Sequence, residues 1–267
     1  MSDVQPTAAG PISGQVPLYK RPEPLNIQQH GELGIKSAEK PFAFMAGAHF
    51  IPLTVAEFAP AGLNYPVIFM GDTKMPAAVM GLNQGENLFV DADGAVPVDA
   101  YVPAFCRRWP FVLAQGDGGD QLVVCIDRDA EVVSEQPDVR FFENGDLSDF
   151  TKTAVQFCEN FETERQRTEA FIGLLRQHDL FEMKVANFTP RHPDGTTGDQ
   201  VQIADYFGVS EEKLRALSPE ALVQLRDNGA LQQIYAHLMS LLNWEALIAR
   251  ALARQTGLQQ TQVAGTA

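Results

Sequence analysis

The densest candidate chemistry lies between Tyr101 and Phe111, YVPAFCRRWPF, where Arg107 and Arg108 stand among Tyr101, Phe105, Trp109 and Phe111. An arginine can clamp a carboxylate or phosphate through two parallel hydrogen bonds, and Tyr or Trp offers a flat face to an apolar ligand. Tyr101, Arg107, Arg108 and Trp109 therefore form a candidate site for a small anionic or aromatic molecule. Lys20 and Arg21 would add positive charge if the fold brings them near. The competing structural reading pairs Arg107 and Arg108 with the acidic stretch Gly116 to Asp149 and uses the aromatics to seal a sheet against helices.

Other reactive residue types give thinner patterns. The histidines are His30, His49, His178, His192 and His237, and no two have the spacing of three or four that sets a pair of metal ligands on one helix. No bound metal or cofactor is expected. His237 lies beside Tyr235 inside a strongly patterned helix, where a buried imidazole serves either as an acid or base or as a hydrogen-bonded core residue. It is the weak catalytic candidate. Asp91-Ala92-Asp93-Gly94 starts like a calcium loop, but Ala95 and Val102 stand where ligands are required, so a turn is expected. Cys106 precedes two arginines that would favour its thiolate, yet Cys106, Cys125 and Cys158 are three and far apart, the usage of buried structural thiols in a reducing compartment. Signatures of the common hydrolases, nucleotide enzymes and kinases are absent from the sequence.

The elements that position these residues change character near Gly145. Residues 1–15 and 257–267 read as flexible tails. From 16 to 145, short Val-, Phe- and Ile-rich runs alternate with Gly, Pro, Asn and Asp, which predicts strands at Tyr65 to Phe69, Ala77 to Leu82, Asn87 to Asp91 and Gln121 to Asp127. Asp93-Gly94 and Gly116 to Asp120 supply turns, and Thr54 with Glu57 makes a capping box for a short helix. From 146 to 256 the period becomes helical. Ser148 caps a long helix ending near His178, whose apolar stripe includes Phe150, Ala154, Phe157, Phe161, Phe171 and Leu175. A polar insertion at about 184–205 reads as a hairpin projecting between helices. Ser218-Pro219 starts a further helix that Asn228-Gly229 stops, and a last helix carries Leu231, Ile234, Tyr235, Leu238, Leu241, Leu242, Ile248 and Leu252. These signals predict an α+β fold: a mostly antiparallel β part packed on a helical part with one inserted hairpin.

A net charge of −14 is hostile to a polyphosphate backbone, so nucleic acid is not an expected partner. No window has the roughly 18 apolar residues that span a bilayer, and the N-terminus lacks the charged start and apolar stretch of a secretory signal. A cytoplasmic location is expected.

Six ordered blocks resemble the SapC family of bacterial proteins: LYKRPEPLNIQQHGELGIK (Leu18 to Lys36), IPLTVAEF (Ile51 to Phe58), YPVIFMGD (Tyr65 to Asp72), GLNQGENLFVDADGAVPVDAYVPAFCRRWPFVLA (Gly81 to Ala114), VVCID (Val123 to Asp127) and LRDNGALQQIYAHLMSLLNWEALI (Leu225 to Ile248). The resemblance brings no catalytic residues with it. It implies an association with nutrient uptake or metabolism, and the peptide-transporter permease that shares the name is excluded by the lack of spanning segments. The expected function is that of an accessory protein binding a small ligand or a partner protein without doing chemistry on it. The alternatives are an enzyme with a site between the two parts and a surface-layer-associated structural protein.

Overall fold

The computed structural model describes residues 16–115, 122–189 and 196–264. The fold is α+β, with antiparallel sheets. The contacts separate two compact units, each assembled from two stretches of chain: the first from residues up to Pro41 and from Arg107 to Thr163, the second from Phe42 to Cys106 and from Glu164 onward. A single boundary near 145 follows the change in composition, whereas these units follow strand pairing and burial.

In the first unit, strand Leu122–Asp127 is the centre of a three-stranded sheet flanked by Pro22–Pro24 and Phe111–Gln115. The register runs from Phe111 opposite Ile126 to Gln115 opposite Leu122; the connecting turn lies outside the described residues. A second small sheet places Gly34–Ile35 between Val133–Ser134 and Val139–Arg140. Its centre requires glycine, because a Cβ on Gly34 would lie 2.0 Å from the Val139 carbonyl oxygen and 2.7 Å from Arg140 Cα. Asn144 and Gly145, at φ 52° and 84°, make the tight turn between Phe142–Glu143 and Asp146–Leu147. Helix Asp149–Gln177 then starts where the hydroxyl of Ser148 accepts the Thr151 N–H at 3.2 Å. Phe111, Ile126, Phe141, Leu33 and Cys158 form the core of this unit.

The second unit is built on a five-stranded antiparallel sheet in the order Phe181–Phe188, Val201–Val209, Val67–Met70, Met75–Val79, Phe50–Pro52. The inserted hairpin is therefore not a projection between helices. Its second strand pairs Phe207 with Phe69, because Phe69, Phe181 and Phe207 give both strands an apolar surface to continue. The tip of this hairpin, with Pro190 and Pro193, lies outside the described residues. Asn87 to Asp91 is not a strand. Leu88, Phe89 and Val90 are buried in succession rather than alternately, and Asn87 holds the loop by donating to the Met45 carbonyl at 3.2 Å and accepting from the Phe89 N–H at 2.9 Å. Asp93-Gly94 is a turn within that loop, with the Asp91 carboxylate accepting the N–H groups of Asp93 and Ala95.

The helices of this unit include Val55–Glu57 and Phe58–Ala61 in tandem, then Glu211–Arg215, Pro219–Asp227, Ala230–Ser240 and Asn243–Ala264. The single long helix expected after Asn228-Gly229 is two, interrupted at Leu241 and Leu242. The interruption explains why Leu242 is 80% exposed although it continues the leucine pattern. The last helix carries its backbone to Ala264, past Gly257, where a tail was expected, and Gly257 is not followed by a proline to stop it.

Candidate functional site

Arg108 lies in the first unit at the head of strand Phe111–Gln115, and it is framed by aromatic rings. Its guanidinium carbon is 4.3 Å from the centre of the Phe161 ring and 5.8 Å from that of Tyr19. Arg107, which is exposed, lies 5.3 Å over Phe157. Phe157 and Phe161 are one helical turn apart on Asp149–Gln177, so a spacing of four presents two rings to two consecutive arginines. Each such contact contributes about 0.5–1 kcal/mol at an exposed site and more as water is excluded. Tyr19 is fixed in turn by its hydroxyl, which donates to the Phe111 carbonyl at 2.6 Å. Cys158, on the same helix, has its thiol pushed up to about 11 by burial, against the opposing pull of Arg108. It is a packed thiol, not a nucleophile.

Lys20 and Arg21 also belong to the first unit, where they serve the acidic stretch. The N–H groups of Lys20 and Arg21 donate to the fully buried carboxylate of Asp127 at 3.0 and 2.8 Å. The Arg21 side chain pairs with Asp129 at 3.0 Å, and Lys20 approaches Glu131 at 3.8 Å. Asp127 closes the VVCID block, yet nothing in its sequence neighbourhood announces a backbone clasp reaching across more than a hundred residues. Nearby, His30 is buried with Nε2 2.9 Å from Glu23 Oε1 and Nδ1 beside the Asn26 backbone. The same unit has an open polar cleft of about 640 Å³ beside the turn Asn144-Gly145, where Arg140 on the wall is held by Glu32.

Tyr101 and His237 belong to the second unit. Tyr101 is anchored at three points: its N–H donates to Asn64 at 2.9 Å, its carbonyl accepts the Tyr65 hydroxyl at 2.7 Å, and its hydroxyl donates to Glu57 Oε1 at 3.1 Å. Glu57 also accepts the Ala104 N–H at 2.6 Å, while its other oxygen accepts the N–H and hydroxyl of Thr54 at 2.8 and 2.9 Å. The capping box was legible in the sequence. The second half of the carboxylate's work, 44 residues away, was not.

The ring of His237 bridges two strands. Val209 N–H donates to Nε2 at 3.1 Å, which fixes the proton on Nδ1, and Nδ1 donates to the Val67 carbonyl at 2.8 Å. Val209 and Val67 lie two residues on from the Phe207–Phe69 pair, so the imidazole takes the place of the next rung of the ladder. Complete burial pushes its pKa down to about 4. Ser240 completes the bridge by donating to the His237 carbonyl at 2.6 Å and accepting the Val67 N–H at 2.9 Å.

The six sequence blocks supply Tyr19, Arg107 and Arg108 of the arginine–aromatic cluster and His237 and Val67 of the histidine bridge, and the SapC family model matches residues 25–247. The chain belongs to the SapC family. No curated protein and no solved structure matches it. Among the described residues of this SapC chain, no group of three or more His, Cys, Asp or Glu is placed to hold a metal ion, and no helix is long and apolar enough to cross a membrane.

Proposed function

We propose that this SapC-family chain is a cytoplasmic accessory protein that binds a small anionic or aromatic molecule, with Arg107 and Arg108 as its anion-holding groups and Trp109 and Tyr19 as its aromatic contacts. The observation that carries the reading is the seating of two consecutive guanidinium groups over Phe157 and Phe161. A guanidinium carries its N–H donors in one plane, a fork that matches a carboxylate or phosphate through two parallel hydrogen bonds. Lys20 and Arg21, which pair with Glu131 and Asp129, add positive potential in the same unit. Binding is favoured over catalysis because the candidate base, His237, has both ring nitrogens committed to backbone.

Thermal-shift titration with organic acids, aromatic acids and nucleotides tests the reading. A ligand present at a hundred times its dissociation constant stabilises by about 2.7 kcal/mol. The apparent affinity should fall at least tenfold on Arg107→Ala, with the unliganded melting temperature lowered by only about 2–4 °C, the cost of one exposed cation–π contact. No stabilisation by any of these compounds, or unfolding on replacement of Arg107, would assign the arginines to structure alone.

A further inference from the structure

The five-stranded sheet ends on Phe181–Phe188, and among the described residues no strand pairs with its outer side. The outer edge is unusual for its length and chemistry, since Met183 and Val185 are 59% and 46% exposed and its end carries no proline to block pairing. Which backbone groups face outward follows from the inner ladder. Ser210 N–H donates to the Leu180 carbonyl at 2.8 Å, so alternate residues from Leu180, including Glu182 and Lys184, bond inward. Phe181, Met183 and Val185 therefore turn their N–H and C=O groups out. The Phe181 carbonyl already accepts an external donor, Lys213 Nζ at 3.1 Å, with its second lone pair left for another.

We propose that this edge pairs with the same edge of a second copy, antiparallel about a twofold axis at Met183. A twofold pairing must set outward residues opposite outward residues, so the axis passes through a residue and not between two. The charges select which one. An axis at Glu182 or Lys184 puts like charges opposite each other, and an axis at Val185 leaves Lys184 opposite Ala186. An axis at Met183 sets each Glu182 opposite Lys184 of the other copy, Met183 opposite Met183, and Phe181 opposite Val185. Glu182 and Lys184 already meet at 2.6 Å within one chain and remain partly exposed, so the pairing closes them into a ring of four alternating charges. The register shift in the inner ladder, between Ala186 and Asn187, falls beyond the paired segment. This pairing needs no bound ligand.

Sedimentation velocity over a range of concentrations, with folding checked by circular dichroism, tests it. The wild type should be a concentration-dependent dimer. Glu182→Lys and Lys184→Glu should each raise the dissociation constant at least about tenfold, by turning two cross-strand attractions into repulsions, and the double swap E182K/K184E should restore it. Met183→Pro removes an outward N–H and spares the inner ladder, so it should leave a folded monomer. A wild type that stays monomeric to millimolar concentration overturns the proposal. So does a double swap as dissociated as the single variants, or a Met183→Pro variant that still dimerises.

Discussion

Protonating His237 would give both ring nitrogens a proton, and the one at Nε2 would face the N–H of Val209. The bridge therefore belongs to the neutral form. The sign of its pH dependence follows. The folded state resists a proton until about pH 4 whereas an unfolded histidine takes one near 6.5, so the bridge's contribution is complete above pH 6.5 and is lost as pH falls towards 4. At roughly 1.4 kcal/mol per pH unit, the loss across that window is about 3 kcal/mol. Urea midpoints between pH 7 and 4 should show it, and His237→Gln, which keeps a donor and an acceptor but does not titrate, should flatten the slope. Asp127 poses a different problem, a carboxyl group with no exposure held by two backbone donors. Asp127→Ala would take the carboxylate from those donors, and a loss of about 1–3 kcal/mol in denaturant unfolding is expected, more than an exposed ion pair in the same stretch would cost. At this scale the sequence was informative about residue type and silent about partner. His237 was visible as a histidine on an apolar helix face, but the strands it bridges are 28 and 170 positions away.

Among the elements, those with local causes were legible. Ser148 and Ser218 cap the helices they were expected to cap, at 3.2 Å each. Elements whose state is decided by distant packing were misread. Asn87 to Asp91 has a strand's composition, but its N–H groups go to scattered partners, that of Leu88 to the Met80 carbonyl and that of Phe89 to the Asn87 side chain. The hairpin around Val185 and Asp205 was visible as a hairpin, while its place in the central sheet depended on the match between Phe207 and Phe69. Close approach is another property hidden from pattern. Gly34→Ala inserts a methyl into the Val139 carbonyl and should unfold the small sheet around it, at a cost of about 3 kcal/mol or more, read as a lowered urea midpoint. Gly173→Ala is the matched control: an added Cβ there meets nothing within 4 Å, so the midpoint should hold or rise slightly.

For the molecule as a whole, composition and periodicity identified an α+β fold and a chain dense enough in apolar residues to build real cores. They could not show that the two units interleave along the chain, because strand order is set by which surfaces match and not by which segments are adjacent. The candidate site was legible as YVPAFCRRWPF, but the segment passes from one unit to the other at Cys106 and Arg107, so Tyr101 and the two arginines contribute to different cores. The pairing of Phe69 with Phe207 also imposes an order in time. Strand Val67–Met70 emerges from the ribosome more than a hundred residues before its neighbour, and at about 5–20 residues per second it waits on the order of ten seconds for it. During that interval Val67, Ile68 and Phe69, all buried in the finished protein, have no strand to pair with on that side, so the nascent chain carries an unfinished sheet edge until the hairpin has been made.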